Sequence, residues 1–132
     1  MNLILALACD EATIREDGKL DVQGVFNELG APGFPAAQDR MTVVFVIEWT
    51  AEEQGPQPLR ADLLDQDDQM ILTIQGQTEV EFRTPDQPPA QTRLVLPLEK
   101  VVFPHAGAYR FRLRAGPSVT EALPLFVANR PQ

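Results

Sequence analysis

His105 and Cys9 are the only histidine and the only cysteine in this 132-residue sequence. Together they are the whole stock of imidazole and thiol ligands. A structural zinc site takes about four nitrogen or sulfur ligands. A Ser-His or Cys-His nucleophile needs a base that a third group orients. The set is too small for the first, and the neighbouring sequence shows no pattern for the second. His105 is therefore expected to sit exposed in the Pro104–Gly107 corner.

Oxygen ligands are more plentiful. Asp62, Asp65, Asp67 and Asp68 crowd around one turn, and calcium is bound by about six to eight oxygens. The spacing departs from an EF-hand loop, so a second acidic loop would have to complete the shell; Glu52 and Glu53 are the candidates. The competing reading is an Asp-rich hairpin turn whose side chains accept hydrogen bonds from their own backbone. The spacing favours the turn and keeps calcium, or a small ligand, as the alternative. Arg110, Arg112 and Arg114 would line one face of a strand about 7 Å apart. They could receive an anion. A plainer reading is a wet sheet face where they oppose Glu79, Glu81 or Glu99, each cross-strand pair contributing about 0.2–1 kcal/mol. Eleven basic against nineteen acidic residues, a net charge of -8, favours the plainer reading.

Other chemistry leaves no pattern. No Gly-rich phosphate loop, Gly-x-Ser-x-Gly elbow or Cys-x-x-Cys pair occurs. No spacing singles out two carboxylates for glycoside hydrolysis. The sequence assigns no catalytic residue and no cofactor, and a non-enzymatic role is expected. The acidic balance argues against nucleic acid and against anionic membrane surfaces as partners.

The elements around these residues read as strands. Twelve prolines, about 9% against an average near 5%, fall mostly between apolar runs. Leu3–Cys9 is uniformly apolar, as a strand buried on both faces would be. No basic residue precedes this run, which argues for a first strand rather than a secretory leader. With a lone cysteine and no run near the ~20 apolar residues of a membrane span, a cytoplasmic protein is expected. Asp10–Ile14 reads as a short helical turn before Asp17-Gly18. Lys19–Leu29 alternates, with Gly24 marking a bulge or a close backbone approach. Arg40–Thr50 places Val43, Phe45, Ile47 and Trp49 on one face. Leu59–Leu63 and Met70–Ile74 flank the acidic turn as a hairpin. A further strand over 78–83 turns Val80 and Phe82 inward. Pro97 and Pro124 mark edges or bulges in the strands at 93–102 and 119–128, the second with Val119, Leu123, Leu125 and Val127 inward. Tyr109, Phe111 and Leu113 form the buried side of a strand after a Pro-Gly corner, opposite Val43–Trp49.

These runs predict an all-β, immunoglobulin-like β-sandwich of about eight to nine short, mostly antiparallel strands, a single domain over 1–132. Trp49 on the third strand and Tyr109 just past a late corner match the arrangement seen in such sandwiches, although the disulfide is missing. Four pieces in order carry a family likeness: Cys9-Asp10, Gly18-Lys19-Leu20 leading through Gly24 to Val25-Phe26, Pro32-x-Phe34-Pro35, and Gly107-x-Tyr109-x-Phe111. This order resembles a family of small single-domain bacterial proteins of uncharacterised function. The resemblance implies a β-sandwich from a prokaryote and carries over no catalytic residue. The expected role is a protein-interaction or assembly module, with a protein partner or a second copy docking through an edge strand.

Overall fold

In the computed structural model, which describes residues 1–131, the alternating runs become ten strands and, among those residues, no helix. They are β1 (Asn2–Cys9), β2 (Glu11–Ile14), β3 (Leu20–Gln23), β4 (Glu28–Ala31), β5 (Ala36–Glu48), β6 (Gly55–Leu64), β7 (Met70–Val80), β8 (Gln91–Phe103), β9 (Gly107–Ala115) and β10 (Ser118–Asn129). One sheet runs β1-β5-β8, a second runs β4-β10-β9-β6-β7, and β2 and β3 form a third. The β4–β10 ladder is parallel. The others are antiparallel.

The inner faces of the two larger sheets share one core. Val43, Phe45 and Ile47 of β5 are buried with Tyr109, Phe111 and Leu113 of β9, as their alternation predicts. Phe45 and Phe111 meet edge to face at 5.7 Å, a geometry worth about 0.5–1.5 kcal/mol beyond area burial. The outer face of β5 is buried too. The β2–β3 hairpin supplies Ala12, Leu20 and Val22 against Cys9, Val44 and Val46. That third layer is why Met41–Ile47 is buried without interruption, since a strand covered on both sides needs no polar face.

Asp10–Ile14 is not a helical turn: β2 pairs with β3, Glu11 with Gln23 through Ile14 with Leu20. The Thr13-Ile14 β-branched pair suits a strand. The 19–29 run breaks into β3 and β4 at Gly24, whose φ is +69°. The runs at 70–74 and 78–83 merge into β7, which removes one strand, while β2 and the break at Gly24 add two, so the count is ten strands, not eight or nine. β1 is an edge strand, and only its C-terminal end is buried on both faces; Ile4 is 50% exposed. Phe82 lies beyond the end of β7 and is 69% exposed instead of inward. Val119 is also outward, at 51% exposure. The register of β10 shifts between Ala122 and Leu125, with Leu123 at φ +60°. An extra residue in a strand flips the face of everything before it, so Pro124 marks a bulge and Val119 changes side.

Phe103 packs edge-on against Tyr109 at 5.0 Å. The Tyr109 hydroxyl donates to the His105 carbonyl at 2.5 Å. This is the backward bond expected of a tyrosine just past a strand corner.

Candidate functional site

The acidic turn and the Tyr109 corner form one structure. β6 and β7 are joined through 65–69, and Asp65 is 3% exposed there. Its Oδ1 accepts the backbone N–H groups of Asp67 at 2.8 Å and Gln69 at 2.9 Å. This is the local Asx bonding that favours Asp in turns. Its Oδ2 lies 3.0 Å from His105 Nε2. The other ring nitrogen, Nδ1, lies 3.0 Å from the Ala106 carbonyl. With an acceptor at each nitrogen, the imidazolium satisfies both by donating twice. The Ala106 carbonyl and then the Asp65 carboxylate raise the His105 pKa above its usual value. Burial opposes ionisation of Asp65, but N–H donation from Gln69, His105 and Asp67 outweighs it and holds the carboxyl below the usual range. The imidazole also stacks on Tyr109 at 5.7 Å and 22°. His105 is thus half-buried and paired, not a free surface residue.

The remaining carboxylates are engaged separately. Asp62 projects from β6 and is nearly inaccessible to solvent. It accepts from Arg60 Nε at 3.0 and 3.1 Å and from the Thr73 hydroxyl at 2.7 Å. Burial works against its ionisation, and those donors still pull its pKa down. Asp68 is paired with Arg110, whose second amino group donates to the Asp65 carbonyl at 2.8 Å. Asp67 is exposed. Asp62 therefore does not join Asp65, Asp67 and Asp68. Among the described residues no three His, Cys, Asp or Glu side chains converge as a metal site. Glu52 and Glu53 precede the start of β6 while the turn follows its end, roughly 30 Å of strand away. Glu53 accepts from the Met1 amine at 2.6 Å and the Thr50 N–H at 2.9 Å.

The arginine row pairs with different acids from those anticipated. Glu121 receives Arg110 at 3.2 Å and Arg112 at 2.8 Å. β9 lies between β10 and β6, so Arg112 stands opposite Glu121 on one side and Asp62 on the other. Glu79 is one strand further away, on β7, and Glu99 belongs to the other sheet.

Two surface features escaped the sequence. One is an open cleft of about 410 Å³ beside Trp49, Pro85 and Pro89. At its margin the Nε of Arg83 is buried without a hydrogen-bond partner. The other is a narrow apolar groove of about 130 Å³ between β7 and β8, lined by Ile74, Leu94, Leu96 and Leu113. Both strands end their sheets there, which leaves their outer backbone edges unpaired. Neither feature has a local sequence signature, because each joins segments distant in the chain.

Fold and site define a small all-β protein whose charged groups hold turns and strands together. The chain belongs to a family of unknown function, DUF6941, which matches residues 4–128. No curated protein and no solved structure matches it. No helix among the described residues is long and apolar enough to cross a membrane.

Proposed function

We infer that this protein is a non-catalytic interaction or assembly module that engages another polypeptide through a free strand edge. The observation that carries this reading is β7, an eleven-residue strand at the end of its sheet beside an apolar groove. Edges of this length are templates for strand addition unless charge, proline or a bulge blunts them. The reading includes an immunoglobulin-like sandwich, for which the shared core and the Tyr109 corner bond speak. It also includes a bacterial, cytoplasmic setting, for which the family likeness and the lone buried cysteine speak. The carboxylates in the acidic turn and on the strand before it support a structural role, because Asp62, Asp65 and Asp68 each hold a donor of the same chain.

Crosslinking with mass spectrometry in native lysate tests this reading. The expected crosslinks flank β7, and lysine substitutions at Ile74 and Gly76 abolish them. A partner still held after the edges of both β7 and β1 are blocked would sink it, as would a chain that crosslinks to no polypeptide at all, its own copies included.

A further inference from the structure

We propose that the partner of the β7 edge is a second copy of this chain, paired antiparallel about Gly76 so that two five-stranded sheets become one continuous sheet. The inference rests on the strand-edge reading above and names its occupant.

Four strands end the two larger sheets, and three carry devices that discourage pairing. β8 contains Pro97, which has no N–H to donate, together with Arg93, Glu99 and Lys100. β4 is four residues long and begins with Glu28. The outer side of β1 is already occupied at Ala8, whose carbonyl accepts the Phe26 N–H at 2.9 Å, and its register slips between Leu3 and Leu5. β7 differs. From Ile71 to Thr78 it has no charge and no proline, and its ladder with β6 is regular from Gly55 to Leu63.

Self-pairing suits this strand in two respects. Leu72, Ile74 and Gly76 stand opposite Leu63, Ala61 and Leu59 of β6, so they belong to the inner face of the sheet. An antiparallel register centred on Gly76 keeps that parity in both copies, as burial of one face requires. It places Ile74 of one copy opposite Thr78 of the other, Gln75 opposite Gln77, and Thr73 opposite Glu79. No like charges meet, and both copies present the same patch, as an isologous two-fold interface demands. The inner-face aliphatics then extend over the groove where Leu94, Leu96 and Leu98 of β8 are only partly buried. At the axis Gly76 brings no side chain, and a Cβ placed there meets nothing within 4 Å.

That open space supplies the test. Gly76 is not in the left-handed region, so Gly76→Lys is compatible with the monomer while setting two ammonium groups together at the axis. Sedimentation equilibrium of the full chain, from about 1 to 500 μM, should show a monomer–dimer equilibrium in roughly 0.15 M salt, where the mutual repulsion of the acidic chains is screened. Gly76→Lys should weaken the dimer at least about tenfold, with an unchanged circular dichroism spectrum and, at concentrations where both chains are monomeric, an unchanged melting temperature. Gly76→Ser should retain the dimer, and so should Ile4→Lys on the β1 edge. A wild-type chain that stays monomeric over the range overturns self-pairing; crosslinks to a different protein at β7 would then leave the strand-edge reading standing. A dimer that survives Gly76→Lys, or that dissolves with Ile4→Lys instead, overturns it as well.

Discussion

His105 Nε2 and Asp65 Oδ2 stand 3.0 Å apart although forty residues separate them in the chain. The contact clamps the β6–β7 turn to the β8–β9 corner, and it makes stability depend on pH in a defined way. The folded-state pKa of His105 is raised, so its contribution is complete below the unfolded value of about 6.5 and is lost as pH rises through the raised value. That of Asp65 is lowered, so its contribution is complete above about 3.9 and is lost as pH falls through the lowered value. The clamp is therefore strongest between about pH 4 and 6.5. Melting temperatures measured from pH 4 to 9 should decline on the alkaline side, and His105→Gln should flatten that decline. An unchanged alkaline limb in the variant would refute the assignment.

Tyr109 should be separable from the clamp it underlies. Tyr109→Phe keeps the ring between Phe103 and His105 and removes the hydroxyl that donates to the His105 carbonyl. The expected cost is about 0.5–1.5 kcal/mol in urea unfolding, with an unchanged slope. A loss of fold would mean that the corner depends on more than this bond.

Gly24 should resist substitution. Its φ of +69° is strained for any other residue, and a Cβ built there overlaps the Asp10 carboxylate. Gly24→Ala should therefore destabilise the chain by about 1–3 kcal/mol, read as a lower denaturant midpoint. A neutral result would show that the chain between β3 and β4 relaxes freely.

Calcium should leave the protein unaffected. Asp62 and Asp65 are already satisfied by Arg60, Thr73, backbone N–H groups and His105. Millimolar calcium should not move the melting temperature relative to chelator. A rise would show selective binding to the native state and restore the ligand-binding alternative.

The all-β class was legible because period-two alternation is a local property. The inward faces of β5 and β9 follow from it directly. Faces were misassigned where one residue breaks the period, as at the Leu123 bulge that turns Val119 outward. The β2 strand was missed because four residues carry too little pattern to outweigh a turn-like start at Asp10. The acidic turn was located correctly, but its chemistry depended on the fold. Asp65 meets His105 only once two corners coincide, and Arg112 meets Glu121 only because β10 is its neighbour.

The β2–β3 hairpin also governs the chain's single thiol. Cys9 is fully buried beneath it, its Sγ 3.6 Å from the Thr42 carbonyl, and burial raises its pKa. An alkylating reagent can reach this sulfur only after the hairpin lifts or the chain unfolds. Labelling at Cys9 thus keeps time for the outermost layer, and comparing its rate with global unfolding measures how independently that layer moves.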